Sequence, residues 1–139
     1  MNKLLCPTCG IHVDQHPKGR CMDYWVAEAV FGKTRAYYHC PHFDKKGRML
    51  SFCSCPSCDS YSRSIAAAWE VVEKIQLTDR SWATTVYWDD GDDIPENAGW
   101  VTCYAYYGET EDDFRAIYSI ASTAPLAICQ AAIKACAGD

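Results

Sequence analysis

Three stretches of the chain repeat apolar residues with the period of a helix. From Met22 to Phe31 the apolar positions recur every three or four residues, and Gly32 is suited to end the helix in the left-handed conformation. A third helix is predicted from about Ala124 to Ala137. The second and clearest helix is predicted from one apolar face, and we expect Trp69 on that face to anchor the core. The face consists of Ile65, Ala68, Trp69, Val72 and Ile75.

Segments between the second and third helices alternate apolar and polar residues, as β-strands do. Two strands are predicted, Ser81–Trp88 and Trp100–Tyr107, joined by the acidic run 89–97 as a hairpin loop. Phe114–Ala121 fits a third strand, although a helical turn opened by residues 110–113 fits almost equally well. This order predicts one α+β domain over residues 1–139, a layered helix–sheet–helix arrangement with a small antiparallel sheet.

Two short motifs add candidate metal chemistry to this fold. Cys6-Pro7-Thr8-Cys9 and Cys55-Pro56-Ser57-Cys58 each place two thiols two residues apart on a turn. Four thiolates fill a tetrahedral zinc site and leave no open position for a substrate. We therefore predict a structural zinc ion bound by Cys6, Cys9, Cys55 and Cys58. The ion would join the cysteine-rich knuckles at 6–9 and 53–58 and so staple the cysteine-rich insert to the domain.

Other groupings of these side chains remain open. Cys40 and His42 could join Cys55 and Cys58 in a local site, Cys21 or Cys53 could replace a ligand in either set, and the thiols could also be free or form a redox pair. The four histidines form no catalytic triad or zinc-protease motif. We expect them to be solvated or to support the metal ligands: His12, His16, His39 and His42. The remaining cysteines are expected in the core: Cys103, Cys129 and Cys136.

Composition and charge limit the cell compartment and the partners that we expect for the protein. Ten of the 139 residues are cysteines, which would suit a secreted disulfide scaffold, but the first five residues leave no room for an apolar signal segment before Cys6. No apolar run is long enough to span a bilayer. The formal charge of −5 argues against duplex nucleic acid as a partner. We therefore expect a cytoplasmic protein, in which paired cysteines bind metal.

The starts of the second and third helices are candidate anion sites. Unpaired backbone N–H groups and the helix dipole favour anions there, and Arg63 could hold a phosphate. An arginine opposes the dipole at this position, so we expect it to serve a ligand and to be removable with little loss of stability. Simple helix capping is the alternative. The predicted ligand-binding residues are Tyr61, Ser62, Arg63, Ser64, Ser122 and Thr123.

The helical segments also resemble a known family. Residues 19–32, 61–74 and 123–135 are similar, in sequence and in order, to the three blocks of the phage ABA sandwich domain, small proteins of tailed phages. The resemblance covers roughly residues 19–137, whereas the cysteine-rich insert at 39–58 departs from it. It implies a helix–sheet–helix fold and a phage or prophage gene expressed in a bacterial cytoplasm. It implies no reaction.

These observations predict a non-catalytic phage accessory protein rather than an enzyme. The leading hypothesis is an anti-defence role, in which the protein binds and sequesters a small nucleotide-like signal. A homo-oligomer is compatible with it, because such pockets often form between subunits. The alternative is a zinc-stapled protein–protein interaction module that docks on a host or phage protein and inhibits it; the many tyrosine and tryptophan residues suit such an interface.

Overall fold

The computed structural model describes residues 3–32, 61–76, 82–92, 94–107 and 114–137. Its elements, in chain order, are a 3-10 turn at Val13–Gln15, helix α1 (Arg20–Phe31), helix α2 (Ile65–Gln76), strand β1 (Ala83–Asp89), a 3-10 turn at Pro95–Asn97, strand β2 (Gly99–Tyr107), strand β3 (Phe114–Ala121) and helix α3 (Ala124–Cys136). The α+β class is confirmed. Most of the cysteine-rich insert lies outside the described residues, including Cys40, His42, Cys53, Cys55 and Cys58.

The three strands form an antiparallel sheet in the order β1-β2-β3. Val86 lies opposite Thr102, which lies opposite Ser119, so side chains in this row share one face. The predicted hairpin between β1 and β2 is confirmed, and Phe114–Ala121 is a strand rather than a helical turn. Gly91 has a φ of 76° in the hairpin loop, where a Cβ atom would collide with the carbonyl of Ile94.

Helix α3 lies on one face of the sheet and contacts β2 and β3 as well as α1 and α2. All but a few of its side chains are buried, and Thr123 caps its start by accepting a hydrogen bond from the Leu126 N–H at 3.4 Å. Helix α1 ends at Gly32, which adopts the predicted left-handed conformation with a φ of 69°. No helix in the described ranges is long and apolar enough to cross a membrane.

The opposite face of the sheet is open in the described part of the chain. It carries four exposed apolar side chains: Tyr87, Phe114, Tyr118 and Ile120. Because an antiparallel sheet can bury one face and expose the other, this pattern does not conflict with the fold.

The face that α2 buries differs from the predicted stripe. Trp69 is 49% exposed and Ile65 is 54% exposed, whereas the buried residues are Ala68, Val71, Val72 and Ile75. The prediction that Trp69 anchors the core is therefore wrong. At about 100° per residue, Val71 falls within the buried arc while Ile65 and Trp69 lie just beyond its margin. Cys129 is buried as expected, but Cys136 is exposed.

This burial pattern yields a stability prediction. Ile75 is 1% exposed, so Ile75→Ala should lower the free energy of unfolding by roughly 2–5 kcal/mol, while Trp69→Ala should cost below about 1 kcal/mol. Urea unfolding of the two variants measures the difference. Equal losses in the two variants would show that α2 presents another face to the core.

Candidate functional site

The N-terminal knuckle is a tight loop that turns Cys9 back towards Cys6. The Cys6 N–H donates to the Ile11 carbonyl at 3.0 Å, and the Gly10 N–H donates to the Cys6 carbonyl at 2.9 Å. Gly10 has a φ of 76°, a conformation that costs glycine little. Leu5 and His12 pair as an isolated antiparallel bridge that closes the loop.

The knuckle contributes to a cluster of four metal-ligating side chains: Cys6, Cys9, His16 and Cys21. Their donor atoms all lie within 4.8 Å of one another, with 3.6 Å between the sulfurs of Cys6 and Cys21 and 3.3 Å between the Cys9 sulfur and His16 Nε2. Donors of a tetrahedral zinc site are about 3.8 Å apart, whereas a disulfide bond is about 2.05 Å long. The four residues could hold a metal ion.

His16 is oriented as a metal ligand. Its Nδ1 lies 2.8 Å from the Pro17 carbonyl oxygen, which can only accept, so Nδ1 carries the proton and Nε2 presents a lone pair towards Cys9. Metal-binding histidines commonly make such a bond through the second ring nitrogen. The ring is 2% exposed and tilts against Trp25, with 5.6 Å between ring centroids, which fixes its position.

The thiols of this cluster have shifted acidities. Slight burial acts to raise the pKa of Cys9, but hydrogen bonds from the Ile11 backbone and from the Cys6 and Cys21 thiols outweigh it and lower that pKa below its usual value. Burial raises the pKa of Cys21 to about 12, and the neighbouring Cys6 and Cys9 add to the effect. Thiolates this close together would repel one another, so the three thiols could ionise together only with a cation between them.

The cluster shares only part of the predicted ligand set. Cys6 and Cys9 belong to it, Cys21 was an alternative, and Cys55 and Cys58 lie outside the described residues. The sequence predicted that His16 is solvated or supports the metal ligands. It is instead buried within the cluster. The spacing C-x2-C-x6-H-x4-C was the available signal, because short gaps of this kind are typical of zinc ligands.

The predicted anion site at the start of α2 is occupied by a buried aspartate. Asp23 Oδ1 accepts hydrogen bonds from the Ser62 N–H at 2.7 Å and from the Ser62 hydroxyl at 2.6 Å. Asp23 Oδ2 accepts from Arg63 Nε at 3.2 Å and from Nη2 at 2.9 Å. Asp23 is 3% exposed and the Arg63 side chain 16% exposed. We call these three residues the Asp23 clasp.

The clasp explains why an arginine stands at this helix start. Arg63 neutralises a carboxylate on α1, and a ligand there would compete with that internal partner. Tyr61 and Ser62 are 1% and 0% exposed, and Tyr61 stacks on Phe31 with 5.0 Å between ring centroids. Ser64 accepts from the Ala67 N–H as a cap. The sequence predicted that Arg63 is removable with little loss of stability. Because its removal would leave the buried Asp23 carboxylate without its ion-pair partner, we instead expect a substantial loss.

The start of α3 has different surroundings. Thr123 is the helix cap, and Ser122 is exposed beside a shallow depression that Asn97 and Ile120 also line. Ser62, which lies just before α2, instead contacts Gly19 and Asp23. Ligand binding at either helix start stays a prediction, and the described contacts do not join the two starts into one site.

A larger groove runs along the free edge of β3. It has a volume of about 800 Å³ and lies between residues 116–120 of β3 and a wall formed by Lys3, Leu4, Asp14, Lys134 and Ala137. The Lys134 ammonium donates to the Tyr118 carbonyl at 3.0 Å and forms an ion pair with Asp14. No sequence pattern predicts this groove, because its walls come from three segments that are distant in the chain.

The Asp23 clasp yields a pH-dependent prediction. Burial raises the pKa of Asp23 above its usual value, while hydrogen bonds from Ser62 and the Arg63 charge oppose the shift. Arg63→Ala removes that opposition and should lower the free energy of unfolding at pH 8 by roughly 2–4 kcal/mol. A raised carboxyl pKa gives stability that is present at low pH and lost as pH rises through the folded value. The loss should therefore be smaller at pH 5.

Urea unfolding between pH 5 and pH 8 measures this effect. The matched control is the double variant Asp23→Asn with Arg63→Ala, in which no buried carboxyl titrates and the pH dependence should disappear. A stability loss in Arg63→Ala that is the same at both pH values would contradict the role given to Asp23.

Comparison with known proteins gives one family. Residues 24–133 match the model of the phage ABA sandwich domain, which is more than half of the 139-residue chain. No curated protein and no solved structure matches. The three helices and the antiparallel sheet agree with the layered fold that the family description names.

Proposed function

Because the chain belongs to the phage ABA sandwich domain family, we propose that it is a non-catalytic phage accessory protein that docks on a host or phage protein and inhibits it in the bacterial cytoplasm. The observation that carries this proposal is the open face of the sheet. Four large apolar side chains are exposed there: Tyr87 (45%), Phe114 (49%), Tyr118 (65%) and Ile120 (43%).

These side chains form one surface because of the strand register. Val101 of β2 pairs with Tyr87 of β1 on one side and with Ile120 of β3 on the other. Tyr118 of β3 pairs with Cys103, which is two residues further along β2. Contiguous exposed apolar and aromatic residues mark interaction surfaces, and tyrosine is common among the residues that dominate binding energy. A catalytic site would instead need convergent reactive groups, which this face does not offer among the described residues.

We also propose that the ion held by the cluster is structural zinc. Three thiols and an imidazole suit zinc, and four protein ligands leave no open coordination position. Cys21 stands at the start of α1, and the His16 carbonyl accepts from Gln130 Nε2 of α3 at 3.3 Å. A metal here would therefore hold the N-terminal knuckle against two helices of the core.

The zinc proposal is tested by metal analysis. The reduced protein should contain about one zinc per chain, and chelation should lower the melting temperature by about 10 °C or more. His16→Ala and Cys21→Ser should lose the metal, whereas Cys103→Ser, a matched thiol outside the cluster, should keep it. If Cys58→Ser releases zinc while His16→Ala and Cys21→Ser retain it, the set Cys6, Cys9, Cys55 and Cys58 is correct instead.

Nucleotide sequestration is the second candidate function, and it would serve the anti-defence role. The groove along β3 favours it, because two lysines, Lys3 and Lys134, line it together with the exposed Tyr118. Ammonium groups suit phosphates, and an aromatic ring suits a base. A homo-oligomer would be compatible with either candidate. The docking proposal is preferred since the apolar surface extends well beyond the groove.

Docking is tested by comparing variants during capture from phage-infected cells. Glutamates at the centre of the face, as in the double variant Tyr87→Glu with Ile120→Glu, should reduce recovery of a specific partner roughly tenfold or more. Trp69→Ser is the control, since it removes an equally exposed aromatic side chain from helix α2. Quantitative mass spectrometry measures recovery. A partner recovered equally with the double variant, checked to be folded, would contradict the proposal.

A further inference from the structure

Among the described residues, strand β3 is an edge strand, and its outer backbone groups face the groove. In an antiparallel sheet the N–H and C=O of one residue point to the same side, and the direction alternates along the strand. Lys134 Nζ donates to the Tyr118 carbonyl from the groove, so Tyr118 faces away from β2. Ala116 and Ile120, two residues away on either side, therefore face the groove as well.

The free groups match what an added strand requires. The N–H groups of Ala116, Tyr118 and Ile120 have no hydrogen-bond partner among the described residues. These three residues span about 13 Å at roughly 3.3 Å per residue, the length of a short extended peptide. The groove of about 800 Å³ beside them is bounded on its far side by Lys3, Leu4 and Asp14.

The side chains at this edge add an alternating apolar row. Ala116, Tyr118 and Ile120 all point to the open face and are exposed. A strand laid along β3 would place every second side chain next to this row, where cross-strand aromatic and aliphatic pairs stabilise a sheet. An occupant with apolar residues at alternate positions is therefore favoured over a uniformly polar one.

The charge of the groove selects among such occupants. Its charged side chains are two lysines and one aspartate, in a chain whose formal charge is −5. Lys134 is paired with Asp14, whereas the exposed Lys3 has no ion-pair partner among the described residues. The positive charge left over complements a carboxylate.

We propose that the β3 edge binds an extended segment of a partner protein, with apolar residues at alternate positions and an acidic residue facing Lys3. This rests on the proposed docking function and names the part of the partner that is recognised. The incoming N–H replaces the Lys134 ammonium at the Tyr118 carbonyl, and that ammonium remains neutralised by Asp14. Backbone pairing gives affinity, and the alternate side chains give specificity.

The first experiment uses an array of acetylated heptapeptides with valine fixed at alternate positions and glutamate or lysine at the ends. Peptides with a terminal glutamate should bind, and Lys3→Glu should reverse the preference for the end charge. Hydrogen exchange by NMR then reads the geometry. The best peptide should slow exchange about tenfold or more at the amides of Ala116, Tyr118 and Ile120, with no comparable change at Ile117 and Ser119, which already face β2.

Two variants at one position separate the backbone from the side chain. Tyr118→Pro removes an outward N–H that β2 does not use, so it should keep the fold and weaken peptide binding at least tenfold. Tyr118→Thr keeps the N–H and loses only the ring, so Tyr118→Pro should bind at least tenfold more weakly than Tyr118→Thr. If Tyr118→Pro does not fold, Ala116→Pro makes the same test, since Ala116 has the same orientation.

Several results would overturn this proposal. They are the absence of any array binder, slowed exchange at Ile117 and Ser119 as much as at Tyr118, a homodimer in solution that Tyr118→Pro dissociates, and adenosine monophosphate protecting these amides when no peptide does. Partner capture that survives Tyr118→Pro but is lost in Tyr87→Glu with Ile120→Glu would remove the edge site and leave the docking function standing. Capture unaffected by that double variant would instead remove the docking function itself.

Discussion

The need to bury helix α3 on nearly all sides organises this molecule. Its residues from Leu126 to Ile133 are all buried, so no single layer can cover it. A helix that is apolar all round must lie inside a protein. The sheet covers one side of α3, while α1, α2 and the 3-10 turn Val13–Gln15 contact it elsewhere. The layered fold is the arrangement in which each amphipathic element supplies one wall for this helix.

Two polar sites then fix how α1 packs against its neighbours, and both lie near the first turn of α1. Cys21 belongs to the cysteine–histidine cluster and Asp23 to the clasp. Ser62 also accepts from the N–H of Gly19, the cap residue of α1, at 2.9 Å, which ties the start of α1 to the segment that precedes α2. Hydrophobic burial is weakly directional, so these two polar sites define the position of α1 more closely than packing does.

The sequence was a good guide where one local pattern decided the outcome. The end of α1 at Gly32 and the start of α3 at Thr123 follow from caps. Alternation also indicated the strand Phe114–Ala121, although it left a helical turn open there. The sequence failed as a guide where tertiary contacts decided. Nothing local distinguishes Trp69 from Val71 as the buried residue of α2, and Arg63 reads as a ligand-binding residue until Asp23, 40 residues away, is seen to pair with it.

Some polar groups of the described residues are engaged internally, and others are left free to bind. The thiols of Cys6, Cys9 and Cys21 contact His16 or one another, and Asp23 contacts Ser62 and Arg63. The groups without a hydrogen-bond partner in the described ranges include four buried side-chain atoms: Thr102 Oγ1, the Tyr104 hydroxyl, Ser119 Oγ and Gln130 Oε1. They also include the backbone N–H groups at the β3 edge, beside exposed apolar side chains on the open face. Such an edge is a liability in a monomer unless it is blunted or used. Lys134 blunts only the Tyr118 carbonyl, and the neighbouring N–H groups stay available to an extended partner.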